Sequence, residues 1–398
     1  MHFPSVSLTA GILSLASAPL IAAEPPEPKF RAVTIDPAIQ IGYGVAVADV
    51  DGDKKPDIVL CDKNQIVWYQ NPGWHKHVIA ENLTKFDHVC IAVRDIDGDG
   101  KAEIAVGAGW NPSDTVNSGA LFYLIPPKDR TQRWEPVTLP HDPTIHRIRW
   151  ARTWQNAFSL ISVPLHGRGN NAAKGEGDGV KITRLTPPTD PRGEWKTEVL
   201  NNEWHKTHNF DPVNWDGDVA DELLVASKEG AFVLNWSQEK NRYSAEQLAD
   251  SENGGFGEIR LGKLADGSRF VAGISPMHGN TAAVLTPPVS GNGLWKRTVI
   301  DEGIVDGHAV ACGDLLKTGS DQIVVGWRAM SRAGAKVGIK LYTAIDPGSG
   351  KWRTTFVDDN TMACEDLCLA DLDGDGKLDI IAAGRGTKNV KVYFNETK

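Results

Sequence analysis

Short acidic hairpins repeat along this chain and constrain its fold more than any other feature. Asp95-Ile-Asp-Gly-Asp-Gly-Lys-Ala-Glu103 lies between two runs of alternating apolar residues, a pattern typical of strands joined by a tight turn. Carboxylates at positions 1, 3, 5 and 9 of such a turn can converge on one hard cation, and its glycines permit the sharp backbone. Two more full copies of this turn begin at Asp49 and Asp371. A fourth, weaker copy begins at Asn214 and has lost one charge, so we expect a plain hairpin there. In the three full copies the predicted ligands of structural Ca²⁺ are Asp49, Asp51, Asp53, Asp57, Asp95, Asp97, Asp99, Glu103, Asp371, Asp373, Asp375 and Asp379.

A second repeat marks another type of strand. An aromatic residue opens a short, partly alternating segment seven times, at Phe30, Trp74, Trp134, Trp195, Tyr243, Trp295 and Trp352. Each period of about fifty residues then holds four strands, which we call A to D from inside to outside. Strand A enters the acidic turn, strand B leaves it, and strand D begins at the aromatic residue.

Four strands repeated seven times predict an all-β, seven-bladed β-propeller over residues 24–398. The last blade has strands A, B and C but no D strand after them, and the segment at Phe30 can supply the missing one. Closure of this kind leaves no free sheet edge between blades. A parallel solenoid is the alternative, and it would not need the two ends of the chain to complement each other.

The composition of the chain argues against some kinds of partner and indicates where the protein is located. The net charge of −9 and the lack of a basic face argue against nucleic acid as a partner. Residues 1–23 form a short apolar segment that predicts a cleaved signal peptide rather than a membrane span, and hence a secreted or periplasmic protein. The five cysteines read as small core residues, with one disulfide between neighbouring blades left open. The oligomeric state is left undetermined.

Histidines collect at one predicted mouth of the central channel. The start of strand A, the end of strand B and the D–A connections share the end of the blade opposite the acidic turn. His88, His146, His208 and His308 fall near A-strand starts, and His166 and His278 follow B strands. Six imidazoles in one place indicate a divalent metal, transition metal or Mg²⁺, or acid–base chemistry. The competing interpretation is that each one only bonds loop backbone. The other residues expected around this mouth are Tyr43, Trp110, Asn280, Arg328 and Glu365.

Two resemblances add to this picture. The acidic hairpins resemble those of VCBS/FG-GAP repeat propellers. The segments Thr144–Ile148, Val163–Leu165, His205–His208, Ser275–Thr281 and Gly307–His308 resemble, in order between about residues 85 and 330, the propeller domain of aldos-2-ulose dehydratase. That family removes water from 1,5-anhydrofructose and related keto-sugars. The resemblance implies His146, His208, His278 and His308 as site residues, with His88 as a further match. As imidazoles at one mouth these four are the candidate catalytic residues and divalent-metal ligands, and His88 and Tyr43 are further catalytic candidates. Position at the same mouth makes five more residues candidates for substrate binding: His166, Trp110, Asn280, Arg328 and Glu365. The isomerase step of that family is associated with cupin domains, so a dehydration is implied more strongly here than an isomerisation.

The leading hypothesis is therefore an exported, metal-dependent carbon–oxygen lyase that eliminates a group β to a ketone on a small sugar or glycoside. A base for the α-proton, a cation for the enolate oxygen and an acid for the leaving oxygen would all be needed. A propeller-type polysaccharide lyase is one alternative, and the negative net charge argues against its polyanionic substrates. A non-catalytic carbohydrate- or protein-binding propeller is the other.

Overall fold

The computed structural model describes residues 24–237, 242–289, 293–346 and 350–398. These residues form seven four-stranded antiparallel sheets arranged as a β-propeller, which confirms the predicted fold. No helix occurs among the described residues, so none of them could cross a membrane as a helix. The expected signal peptide at residues 1–23 lies outside the described part of the chain.

Each of the first six blades takes four consecutive strands in the order A to D. Blade 1 holds β2 (Gly44–Ala48), β3 (Asp57–Cys61), β4 (Gln65–Gln70) and β5 (His75–Glu81). Blade 2 holds β6 (Cys90–Arg94), β7 (Glu103–Ala108), β8 (Ala120–Ile125) and β9 (Glu135–Leu139). Blade 3 holds β10 (Ile145–Arg152), β11 (Phe158–Pro164), β12 (Ile182–Thr186) and β13 (Lys196–Asn201).

The next three blades follow the same order. Blade 4 holds β14 (Thr207–Val213), β15 (Glu222–Ser227), β16 (Gly230–Ser237) and β17 (Arg242–Ala249). Blade 5 holds β18 (Glu258–Lys263), β19 (Arg269–Ser275), β20 (Thr281–Thr286) and β21 (Lys296–Asp301). Blade 6 holds β22 (Gly307–Gly313), β23 (Gln322–Trp327), β24 (Gly338–Asp346) and β25 (Lys351–Asp359).

Blade 7 closes the ring with both ends of the chain. Its first three strands are β26 (Cys364–Ala370), β27 (Asp379–Gly384) and β28 (Asn389–Asn395), and its outer strand is β1 (Phe30–Asp36). The β1 and β28 strands pair antiparallel, with Phe30 opposite Asn395. The predicted closure by the N-terminal strand is therefore confirmed, and the solenoid alternative is wrong.

Apolar side chains between neighbouring blades form the core. One cluster joins Val45 and Leu60 of blade 1 to Ile381 and Val392 of blade 7, across the point where the ring closes. Strand B is buried along its whole length in blade 2, as in most blades, because it is covered on both faces. The five cysteines are all unpaired, so the disulfide left open by the sequence is not formed.

An Asp–Tyr–Lys contact recurs between blades, and it was not predicted from the sequence. An aspartate at the end of one D strand accepts hydrogen bonds from a tyrosine and a lysine of the next blade. In each case burial opposes ionisation, but the hydrogen bonds hold the aspartate pKa below its usual value. The three contacts are Asp36 with Tyr69 and Lys76, Asp301 with Tyr342 and Lys340, and Asp358 with Tyr393 and Lys391.

Candidate functional site

Four A strands carry a bulge at the same place, and the bulged residues are the ones that meet at the channel mouth. The pairing registers of β10, β14, β22 and β26 each skip one residue, and the skipped residues are His146, His208, His308 and Glu365. Such bulges leave a residue unpaired and re-aim its side chain. In the A strands of blades 1, 2 and 5 the register is regular. The bulges thus determine which A strands turn a side chain into the mouth.

Three of the imidazoles are oriented by the backbone of the following blade. The Nδ1 atoms of His146, His208 and His308 lie 2.8, 3.0 and 2.6 Å from the carbonyl oxygens of His208, Gly257 and Glu365. A carbonyl oxygen only accepts, so each Nδ1 carries the proton and donates it. Each Nε2 is then unprotonated and keeps its lone pair, which is the arrangement found when a neutral imidazole binds a metal.

His278 completes a cluster of three imidazoles. It follows β19 in a left-handed backbone conformation, with φ of 55°, and its Nε2 lies 2.9 Å from Nε2 of His208. Ligand nitrogens of His208, His278 and His308 all lie within 4.8 Å of one another. Blades 4, 5 and 6 therefore supply a set of nitrogens that could hold one cation.

His146 stands beside this cluster rather than within it. Its ring centroid is 4.6 Å from that of His208, but its Nε2 accepts a hydrogen bond from Nη1 of Arg147 at 3.0 Å. The ring of Trp110 lies on its other side, with centroids 5.0 Å apart. The expected metal-ligand role of His146 stays a prediction, and its contacts favour a place in the wall of the site.

The cluster stays uncharged at ordinary pH. Burial lowers the pKa of His146, His208 and His308 well below the usual histidine value, and the nearby cations Arg147 and Arg328 lower it further. Burial and the neighbouring His208 ring lower the pKa of His278 as well. Neutral imidazoles keep the lone pairs that metal binding or proton transfer requires.

Glu258 and its partners lie directly behind the cluster, and sequence reasoning missed them. One carboxylate oxygen, Oε1, is 3.0 Å from Nδ1 of His208 but accepts no aligned hydrogen bond, because the Nδ1 proton points at the Gly257 carbonyl. The other oxygen accepts a hydrogen bond from Asn209, and Arg147 lies 3.9 Å from Oε1. Glu258 is 2% exposed. Glu258 is the first residue of β18, and its place near the start of an A strand was the only signal in the sequence.

Glu365 joins the cluster to Tyr43. Its carboxylate accepts hydrogen bonds from Arg328 at 2.6 Å and Arg385 at 2.9 Å, while its carbonyl holds His308. Arg385 also lies over the Tyr43 ring, 5.2 Å from the centroid. The Tyr43 hydroxyl donates to Asp87 at 2.9 Å, and burial raises the pKa of this phenol. Tyr43, Arg328 and Glu365 therefore belong to one connected network, as the sequence predicted for this mouth.

The remaining candidates are more peripheral. His88 is fully buried, and its Nε2 accepts a hydrogen bond from the backbone of Leu83 at 3.3 Å. His166 is 3% exposed, its Nδ1 has no partner among the described residues, and burial lowers its pKa to about 4. Asn280 is exposed beside His278. None of these three belongs to the compact imidazole cluster, and their catalytic or substrate-binding roles stay predictions.

Acidic turns occupy the opposite face. In the first turn both oxygens of Asp49 accept backbone N–H groups of the turn, from Gly52 and Lys54. Both oxygens of Asp57 are taken by the N–H groups of Val50 and Asn71, so position 9 anchors the hairpin. Carboxylates approach one another closely enough for a cation in four turns, including the one that begins at Asn214: Asp49, Asp51 and Asp53; Asp95, Asp97 and Asp99; Asp216, Asp218 and Glu222; and Asp371, Asp373 and Asp379. Calcium binding stays a prediction.

Family models match this chain along much of its first three quarters. Residues 49–106 match an FG-GAP-like repeat and residues 91–124 an FG-GAP repeat. Residues 118–287 match the β-propeller domain of aldos-2-ulose dehydratase. This chain is an FG-GAP-type propeller related to that domain. The match is narrower than the resemblance expected over residues 85–330; it covers His146, His208 and His278 and leaves out His308.

The solved structures named below are only 11–12% identical to this chain, so they support the fold alone. A chain of a mitotic checkpoint complex has a TM-score of 0.57 at 11% identity, and the alignment covers 98% of both chains. BBS1N bound to ARL6DN gives a TM-score of 0.54 at 11% identity, covering 92% of this chain and 95% of that one. The periplasmic gluconolactonase PpgL of Pseudomonas aeruginosa gives 0.50 at 12% identity, covering 89% and 96%. No curated protein matches the sequence.

Proposed function

We propose that this protein is a metal-dependent carbon–oxygen lyase that performs a β-elimination on a keto-sugar or keto-glycoside, such as 1,5-anhydrofructose. The observation that carries the proposal is the convergence of His208, His278 and His308, neutral and with two of the three rings fixed through Nδ1. The match to a propeller domain named for a sugar dehydratase supports a sugar as the substrate.

The imidazole cluster fits a divalent cation. Two nitrogens each about 2.0–2.1 Å from one ion lie roughly 3 Å apart, and the Nε2 atoms of His208 and His278 are 2.9 Å apart. His308 would complete a three-histidine set, a number that leaves positions open for substrate oxygens. When bound, such a cation would stabilise the negative charge that develops on the ketone oxygen during α-proton removal.

The chain's own residues supply the proton transfers. The α-proton has to go to a base outside the three proposed ligands, and His146 beside them keeps an Nε2 lone pair on a neutral ring. The Tyr43 phenol keeps its proton, since burial raises its pKa, and it is held in place by Asp87. Tyr43 is therefore suited to donate a proton to the leaving oxygen rather than to act as the base.

Substrate hydroxyls need polar partners around the reacting carbons. Arg328 is fixed between Glu365 and Asp306, 2.6 and 3.5 Å away, so it presents a rigid donor beside His308. Trp110 next to His146 offers an aromatic edge for the apolar face of a sugar ring. Asn280 and His166 remain candidates for outer hydroxyl groups.

Two further expectations accompany the proposal. The apolar segment 1–23 would direct the protein to the periplasm or the exterior. Calcium in the acidic turns would be structural, because these turns lie at the end of the A strands opposite the histidines.

The test is turnover of defined substrates by protein of known metal content. We expect 1,5-anhydrofructose or a 3-keto-glucoside to give new ultraviolet absorbance from the unsaturated product, with roughly 100-fold or greater loss in His208→Ala, His278→Ala and His308→Ala. His75→Ala is the matched control, since this exposed histidine lies on the outer strand β5. Activity only on uronate polymers would favour the polysaccharide lyase. Folded variants with full metal and full activity would refute the assignment, and no turnover of any of these substrates would favour a binding propeller.

A further inference from the structure

A second chamber lies in the central channel, on the other side of Glu258 from the histidines. It has a volume of about 460 Å³ and is lined by residues of all seven A strands. Its lining runs to Arg94 and Ala370, which directly precede the acidic turns. Asp211 lies three residues after His208 on β14, which places it about 10 Å deeper along the strand. The chamber therefore faces the acidic-turn mouth rather than the histidine mouth.

A polar layer separates the two compartments. Arg147, Asn209 and Glu258 are all less than 10% exposed and contact one another across blades 3, 4 and 5. Arg147 touches both sides, since it donates to His146 and also lines the chamber. Tyr43 and Arg147 line the chamber and none of the histidines does, so a ligand there would contact no imidazole of the cluster.

Charged groups of both signs face this chamber with much of their hydrogen-bonding capacity unused. Arg149 makes no side-chain hydrogen bond to any described residue, and its closest ion contact is Asp211 at 3.8 Å. Arg260 donates only to the carbonyl of its own neighbour Ile259 among the described residues. Asp366 accepts one backbone N–H through Oδ2, from Val45. The groups are close enough that burial and Arg260 together lower the pKa of Arg149 to about 10.

The pattern of charges selects the chemical class of ligand. Arg149 and Arg260 are balanced by Asp211 and Asp366, Arg147 is balanced by Glu258 3.9 Å behind it, and Arg94 adds one positive charge at the mouth. The acidic turns around that mouth disfavour anions, and the arginines inside disfavour cations. A neutral polyol suits such a lining, because every hydroxyl can accept from a guanidinium and donate to a carboxylate at once. The volume also lies in the range of small-ligand pockets.

We propose that this chamber is a second binding site, for a neutral sugar that enters from the acidic-turn face. Arg149 and Arg260 act as donors, and Asp211 and Asp366 act as acceptors. Binding of a sugar in this chamber requires neither a metal nor catalysis. The proposal can therefore be tested whether or not the protein is a lyase.

Calorimetric titration with methyl α-glucopyranoside and maltose tests the proposal, because neither sugar carries a ketone. We expect binding to the wild-type protein and equally to His278→Ala, with at least tenfold weaker binding in Arg149→Met and Asp211→Asn. Arg192→Met is the matched control, since this exposed arginine pairs with Glu135 on the outer surface. Sugar binding that survives Arg149→Met, or is lost in His278→Ala, would overturn the proposal. So would binding of inorganic phosphate or alanine in place of either sugar.

The cysteines give a second readout that needs no variant. Cys312 and Cys368 line the chamber and are partly exposed, whereas Cys61 and Cys364 are fully buried elsewhere. We expect either sugar to slow the reaction of Cys312 and Cys368 with a small mercurial reagent, as measured by peptide mass spectrometry. Unchanged rates at sugar concentrations up to the solubility limit would refute occupancy of the chamber.

Discussion

Replacing Glu258 with glutamine tests whether the residues behind the imidazole cluster tune its affinity for metal. The change keeps the size of the side chain and removes its charge. Glutamine can still accept from Asn209 through its oxygen. Its amide would place hydrogen atoms near Nδ1 of His208, where a carboxylate oxygen now lies 3.0 Å away. Arg147 would lose the negative charge that lies 3.9 Å from its guanidinium.

The size of the effect follows from these contacts. A carboxylate behind a ligating imidazole raises its basicity, and loss of such a partner lowers metal affinity by about 10- to 100-fold. This corresponds to roughly 1.4–2.7 kcal/mol. We expect the lower half of this range, because the Nδ1 proton of His208 is donated to the Gly257 carbonyl and that bond would remain.

Calorimetric titration of the metal-free protein with Zn²⁺ measures the affinity directly. Glu246→Gln is the matched control, since this glutamate is exposed on β17 far from the channel. Thermal melting of both variants in the absence of metal checks that the fold is intact. If Glu258→Gln folds and binds Zn²⁺ as tightly as the wild-type protein, the reasoning about the residues behind the cluster is wrong.

Three further predictions concern the scaffold. Deleting residues 24–36 removes the outer strand of blade 7 and should lower the melting temperature of the whole ring; an unchanged melting temperature would contradict closure at this point. Asp97→Ala and Asp373→Ala should lower thermal stability in calcium but not in chelator, since an ion at a hundredfold excess over its Kd adds about 2.7 kcal/mol; equal stability in both conditions would leave plain hairpins. Tyr393→Phe should cost about 1.5–3 kcal/mol in urea unfolding at neutral pH, because the tyrosine donates to the buried carboxylate of Asp358. The hydrogen bonds hold the pKa of that carboxyl below its usual value, so its contribution is present above the usual pKa and is lost as pH falls through the lower folded value. The difference between wild type and Tyr393→Phe should therefore shrink in acid, and a pH-independent difference would contradict this account.

Much of the scaffold could be read from the sequence because its signals are local and repeated. The aromatic residue at each D strand and the acidic turns after four of the A strands mark a period that holds four strands. The pairing of β1 with β28 was predicted from the number of strands, since the sequence of the seventh blade supplied only three of its four. The four histidines predicted near A-strand starts, His88, His146, His208 and His308, lie within two residues of the observed starts.

The sequence predicted which residues gather at the site, but not how their side chains are arranged. Topology alone brings A-strand starts to one mouth, so the histidines could be placed together without knowing their contacts. The bulge that turns His308 toward the channel has no sequence signature of its own, because it depends on the register with β23. Glu258 was missed for a related reason. Its role comes from a neighbouring blade's His208, about fifty residues away in the chain, and that proximity exists only in the closed ring.

The pairing of β1 with β28 also fixes the face of the propeller at which the C-terminus lies. Lys29 donates its N–H to Oγ1 of Thr397 at 3.0 Å, and Glu396 donates its own N–H to the carbonyl of Lys29. Asn395 bonds the carbonyls of Leu315 and Leu378, which places both ends beside the acidic turns. A purification tag, a surface tether or a fused partner joined at the C-terminus would therefore project away from the histidine mouth. Immobilised through its C-terminus, the protein should present that mouth to solution with a single orientation.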